Sequence, residues 1–141
     1  MEFLNATDVR REWSAVIDDA VRRKPQLIQR TRDKIILSDL DTINLFLQPY
    51  EFSAERYFEE DGSVTLSLNE IDLVENAENE EAALDALARA LLEYASDFYD
   101  EYETWSVAPN RVAHIPYVFK ALLLNDVSKI RELITCHSGR N

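Results

Sequence analysis

Asn5-Ala6-Thr7-Asp8-Val9-Arg10-Arg11-Glu12-Trp13-Ser14-Ala15-Val16-Ile17-Asp18-Asp19, followed after Pro25 by Gln26-Leu27-Ile28-Gln29-Arg30 and then Ile35-Ile36-Leu37-Ser38, is the stretch on which the fold turns. Val9, Trp13, Val16, Ile17, Ala20 and Val21 recur at i, i+4, i+7, i+8, i+11 and i+12, the apolar face of a helix. Thr7 is expected to cap that helix, because its hydroxyl accepts an orphan backbone N–H, and Asp8 suits the positive end of the dipole. Arg22, Arg23 and Lys24 suit the other end, and Pro25 stops it. Residues 2–5 are long enough for one strand. Residues 26–31 and 34–38 read as two strands about a turn at Arg32-Asp33, and Ser38-Asp39-Leu40-Asp41 opens a short helix. The order is β-α-β-β-α, closed by Pro49.

Residues 50–141 read as a second, acidic unit. Strands near residues 56–60 and 64–68 flank Asp61-Gly62, a strong turn dipeptide. Asn79 caps a long helix expected over residues 80–103, with Glu80 and Glu81 in its first turn and Leu84, Leu87, Leu91, Tyr94 or Ala95, Phe98 and Tyr102 as its buried stripe. Pro109 and Pro116 bracket an irregular stretch. Pro116 suits the first turn of a helix running to Leu124, with Phe119, Leu122 and Leu123 towards the core. Asn125-Asp126 breaks and recaps the chain, residues 127–134 form a final helix, and residues 135–141 are expected to fray. The fold class is α+β.

Charge is segregated along the chain. Residues 1–34 have a net charge of +2, residues 35–108 of −17 and residues 109–141 of +3, within a total of −12 over 141 residues. Such a pattern predicts a leading segment that meets an anion and a middle that meets a cation. Overall acidity argues against nucleic-acid binding by the chain as a whole. A local patch still acts, because screening confines surface fields to about 10 Å. Apolar content of 46% with 30% charged residues describes a folded chain. Cys136 stands alone, so no intrachain disulfide forms, and the reducing cytoplasm is the expected compartment. No apolar run approaches the ~18–20 residues that span a bilayer, and no signal peptide opens the sequence, so no membrane role is expected.

The stretch from Asn5 to Asp19, with Pro25–Arg30 and Ile35–Ser38, resembles the N-terminal signature of Phd/YefM-type antitoxins over residues 1 to about 48. The resemblance implies a small α/β unit that dimerises through its sheet and first helices and binds operator DNA. Carried over position by position, Asn5, Thr7, Arg10 and Arg11 are the implied DNA-binding residues, with Arg30 and Arg32 beside them. A helix N-terminus offers N–H donors to a phosphate, and Arg bridges phosphates or reads guanine bidentately. Glu12, Ala15 and Arg32 stand where that pattern has Asn, Lys and Gly. Residues 60–70 with 79–87 are similar to the strand–turn–strand–helix of HicB-like antitoxins, without that pattern's proline and aromatic.

These resemblances and the charge map predict an antitoxin of a type II toxin–antitoxin system. It would neutralise a basic ribonuclease toxin, of the RelE class for instance, and act as a homodimer on its operator. Glu93, Asp97, Asp100 and Glu101 are the candidate toxin-binding residues. The rival expectation, which Glu12 and the net charge favour, is an acidic adaptor without DNA binding. A metal-assisted hydrolase is the weakest reading. One straight helix carrying Glu93, Asp97 and Glu101 rarely converges on a cation. His114 and His137 form no ligand or triad spacing, and there is no Gly-rich phosphate loop, G-x-S-x-G or paired Cys. No catalytic residue, metal or cofactor is therefore expected, and Trp13 and Trp105 read as core or interface residues.

Overall fold

The computed structural model describes residues 1–139 and divides the chain into two compact units, Met1–Phe46 and Leu47–Asn141. In the first, β1 (Leu4–Asn5) leads directly into α1 (Ala6–Arg11) and α2 (Trp13–Arg22), followed by β2 (Gln26–Arg30), β3 (Asp33–Leu37) and α3 (Leu40–Leu47), whose last residue passes into the second unit. β1 pairs parallel with β2, and β2 pairs antiparallel with β3, giving the order β1-β2-β3.

The expected single first helix is two helices. Glu12 leaves helical geometry at φ −106°, ψ 31°, although its N–H still reaches the Asp8 carbonyl. The break changes the angular register along the chain. Val9, Val16 and Ala20 remain buried, whereas Trp13 is 50% exposed and Val21 is also exposed. The N-cap is Asn5, not Thr7: the Asn5 Oδ1 accepts the Thr7 N–H at 2.8 Å. Both are good capping residues, and the helix simply begins two residues earlier. The hairpin turn lies at Thr31-Arg32, with Arg30 paired to Asp33. Thr31 holds φ +57°, costly for a β-branched residue, and its carbonyl accepts from Gln29 Nε2 at 2.8 Å.

The second unit contains β4 (Phe52–Phe58), β5 (Val64–Leu68), β6 (Val74–Ala77), α4 (Glu80–Asp100), α5 (Tyr102–Trp105), a 3₁₀ turn (Val112–His114), α6 (Ile115–Leu124), α7 (Val127–Leu133) and β7 (Ile134–Ser138). Its sheet order is β6-β5-β4-β7, antiparallel throughout except for the parallel β4–β7 pair. Asp61-Gly62 makes the β4–β5 turn, with Gly62 at φ +86° and Asp61 Oδ1 accepting the Ser63 N–H at 2.9 Å. Those Ser63 hydrogen bonds hold the Asp61 carboxyl below its ordinary pKa.

Three expectations need correction here. The tail beyond residue 134 does not fray: residues 134–138 form β7, pairing from Phe52↔Ile134 to Arg56↔Ser138. Residues 140 and 141 of that expected tail lie outside the described residues. The long helix ends at Asp100, and a break at Glu101 precedes α5. In α6 the buried side chains are Val118 and Ala121, while Phe119, Leu122 and Leu123 are only partly covered. α6 lies against α4, and the small Ala121 side chain lets helices approach closely.

Alternate strand residues Phe52, Ala54, Val64, Leu66 and Leu68 meet Ala83, Leu87, Ala88, Leu91, Ala95 and Phe98 of α4 to form the core. Each fully buried Leu or Phe contributes about 1.5–3 kcal/mol. Asn79 caps α4 as expected, its side chain accepting the Ala82 N–H at 2.8 Å. Asn125 adopts φ +46° and Asp126 caps α7, accepting the Lys129 N–H at 3.1 Å. Among the described residues no helix is long and apolar enough to cross a membrane.

Candidate nucleic-acid interface and acidic face

The DNA-binding candidates all fall in the first unit. Asn5 and Thr7 sit at the start of α1, where the Asn5 side chain is occupied by the cap. Arg10 and Arg11 are exposed on its last turn, Arg30 ends β2, and Arg32 occupies the hairpin turn. Three arginines of the unit have acidic neighbours: Arg11 pairs with Asp8, Arg23 with Asp19 at 3.2 Å, and Arg30 with Asp33 at 3.8 Å. All three pairs are solvent-exposed, so each is worth at most about 1 kcal/mol and leaves the guanidinium available. Among the described residues Arg10 and Arg32 have no ion-pair partner. Within Met1–Phe46 eight basic and eight acidic residues balance, because Asp39 and Asp41 offset the excess of residues 1–34. The positive field of this unit is therefore local.

Arg10 and Arg30 also edge an open apolar groove of about 640 Å³, lined by Ala6, Val9, Trp13, Ile28 and Ile35, with Asp33 at its rim. Ile35 and Ile36 of β3 are 61% and 50% exposed. Successive strand residues point to opposite faces, so both faces of β3 lie open. The adjacent pair Ile35-Ile36 was the sequence signal for this, since a one-sided sheet buries only one of two neighbours. Lys34 places its ammonium 5.0 Å from the centre of the Phe3 ring.

In the second unit the toxin-binding candidates Glu93, Asp97, Asp100 and Glu101 are all exposed at the C-terminal half of α4 and its break. The helix is electrically asymmetric. Its first half is paired: Glu80 with Arg56 at 2.6 Å, Glu81 with Arg131, and Asp85 with Arg89 at 2.8 Å. Its second half, and α5 after it, has no ion pair among the described residues, and residues 90–110 contain five acids and no Lys or Arg. Acids at this end oppose the helix dipole by a few tenths of a kcal/mol each.

Among the described residues no three His, Cys, Asp or Glu side chains converge as metal ligands. His114 packs instead: its Nδ1 lies 2.7 Å from the Tyr94 hydroxyl, and burial lowers its pKa below the ordinary 6.5. Arg111 stacks on Trp105, its guanidinium carbon 3.8 Å from the ring centre. Cys136 is half-buried on β7, and burial raises its thiol pKa, the opposite of an activated nucleophile.

No curated protein is similar to the chain. A crystal structure from Syntrophomonas wolfei subsp. wolfei, of a protein described as the antitoxin part of a proposed toxin/antitoxin system, is similar over 99% of this chain and 100% of that one, at 34% identity and a TM-score of 0.92. The PHD-like family, described as "Antitoxin of toxin-antitoxin, RelE / RelB, TA system", matches residues 1–136, through both units and well past the first third in which the signature was recognised. The HicB-like likeness of the central hairpin finds no counterpart in these matches. With the two-unit fold, the Asn5-capped first helix and a family match spanning nearly the whole length, the chain belongs to the PHD-like antitoxins of toxin–antitoxin systems.

Proposed function

We propose that this antitoxin neutralises a basic ribonuclease toxin through its acidic second unit and represses its own operator as a homodimer built on its first. The observation that carries the reading is the unfinished state of the first unit. Forty-six residues bury only Val9, Val16, Ala20 and Ile28 among their apolar side chains, and leave a groove beside Arg10 and Arg30. A unit this small rarely holds a core alone and usually needs oligomerisation. A second copy lying over the groove and β3 would cover Trp13 and Ile35. It would also duplicate the arginines, giving two phosphate-binding patches for the two halves of an operator. Asn5 and Thr7 would lie at the DNA-facing start of α1, with Arg10, Arg11, Arg30 and Arg32 around them.

The acidic unit would steer a cationic toxin and cover its RNA-binding surface through Glu93, Asp97, Asp100 and Glu101. Membership in an antitoxin family implies a regulatory, non-catalytic role, and a lone cysteine, Cys136, suits the reducing cytoplasm. The test is a gel shift of the gene's own promoter. Wild-type protein should shift it at low salt, and Arg10→Ala/Arg11→Ala should abolish the shift without altering toxin binding. A second reading, an acidic adaptor without DNA binding, is favoured by exposed Glu12 and the net charge of −12. No shift with or without toxin would establish that reading and end the first.

A further inference from the structure

The unpaired end of α4 carries more than acids. Tyr99 is 59% exposed and Tyr102 38% exposed, and each sets its ring edge-on to Phe119 of α6, at 6.4 Å and 6.0 Å between centroids. The three rings, on α4, α5 and α6, form one aromatic shelf spanning three helices and the break at Glu101. A shallow concavity of about 230 Å³, lined by residues 99–104, lies beside it. Nothing in the fold requires this exposure. The same segment buries Phe98 completely and half-buries Trp105, so its inward positions already supply the core.

Asp97, Asp100, Glu101 and Glu103 surround the shelf without a cation, whereas the first half of the same helix holds three paired acids. Charge decides what covers such a surface. A second copy would bring carboxylates against carboxylates, a like-charge juxtaposition that costs several kcal/mol. A cationic protein would meet every acid with an opposite charge. Tyrosine is the residue type that combines apolar area, a hydroxyl and little rotamer entropy, and it is enriched among binding hot spots.

We infer that the Tyr99–Tyr102–Phe119 shelf is the seat of the toxin: the partner lays an apolar side chain across the rings while its Lys or Arg side chains engage Asp97, Asp100, Glu101 and Glu103. The inference rests on the proposed neutralising role and narrows it to one face, with the aromatics supplying affinity and the acids supplying encounter rate.

The experiment uses the full chain co-expressed with the product of the adjacent gene, and measures dissociation constants and association rates. Tyr99→Ala/Tyr102→Ala should weaken the complex roughly thirtyfold or more, chiefly through faster dissociation, as expected when hot-spot residues are lost. Asp97→Asn/Asp100→Asn/Glu101→Gln should slow association and flatten its salt dependence. Arg89→Ala, which alters the paired half of α4, should bind as wild type. Promoter DNA shifted equally by all variants would show that the first unit is intact. If the tyrosine variant binds the toxin as tightly as wild type, the shelf is not its seat, although the neutralising role stands. If wild type itself does not bind, both fail. A tyrosine variant that changes the oligomeric state and leaves toxin affinity unchanged would place a second copy there and overturn the assignment.

Discussion

The two units of this antitoxin solve the problem of a small core in opposite ways. Unit two packs α4 against a four-stranded sheet, with α6 and α7 against α4, and among the described residues encloses sixteen apolar side chains, seven of them in the sheet or just after it. Unit one has a three-stranded sheet and four buried apolar side chains, with Trp13, Ile35 and Ile36 facing outward. The charge follows the same division: unit one is neutral with separated patches, and unit two carries the whole net charge of −12. A core complete in one chain leaves its surface free to serve as a charged docking face. A core left open makes assembly part of folding. Each unit also has one tryptophan, Trp13 in the first and Trp105 in the second, so the two can be followed separately by single-tryptophan variants.

The difference between the units should show first in their cores. Phe98→Ala, at a fully buried position, should cost about 3–5 kcal/mol in urea denaturation followed by Trp105. Val16→Ala, followed by Trp13, should cost clearly less; an equal cost would mean that unit one is packed as completely as unit two. At the caps the units should behave alike. Asn79→Ala and Asn5→Ala each remove a side-chain acceptor from a helix N-terminus and should cost about 1 kcal/mol, each seen by its own tryptophan.

Acid should separate the units again. Burial holds His114 neutral with its pKa below 6.5; Asp72 opposes that shift and Arg111 reinforces it. As pH falls below about 6.5 the unfolded chain takes up the proton first, so this contribution to unit two is lost in that direction. His114→Gln should flatten the slope of Trp105-detected stability between neutral pH and mild acid, and leave the Trp13 signal unchanged. The smallest expected change is a gain. Thr31→Gly relieves φ +57° at the first hairpin and should stabilise unit one by up to about 1 kcal/mol in thermal melts.

Local signals were legible in the sequence, and distant ones were not. Asn79 and Asp126 announced their caps, Asp61-Gly62 its turn, and Asn125 the end of α6, because each acts within a few residues. β7 escaped because its partner β4 lies about eighty residues away and no glycine or proline separates it from α7. β6 escaped because Val74-Glu75-Asn76-Ala77 is a short edge strand with little strand propensity of its own. Of the candidate site, the basic positions were readable from the family signature. Their surroundings were not: the groove beside Arg10, shared by α1, Trp13 and the strands, does not follow from spacing once Glu12 interrupts the helical register. Likewise the acids of α4 are visible in the sequence, but periodicity places Tyr102 on the core side and gives Tyr99 no place in the stripe. The break at Glu101 turns Tyr102 outward.

Whether unit one is completed by a second copy while unit two stands alone is decided by a dilution series read through single tryptophans. In Trp105→Phe, emission from Trp13 should be blue-shifted at high concentration and move to the red on dilution as the groove opens to water. In Trp13→Phe, emission from Trp105 should stay constant throughout. A Trp13 spectrum that is red-shifted and independent of concentration would contradict the account, because the open face of unit one would then remain uncovered in solution.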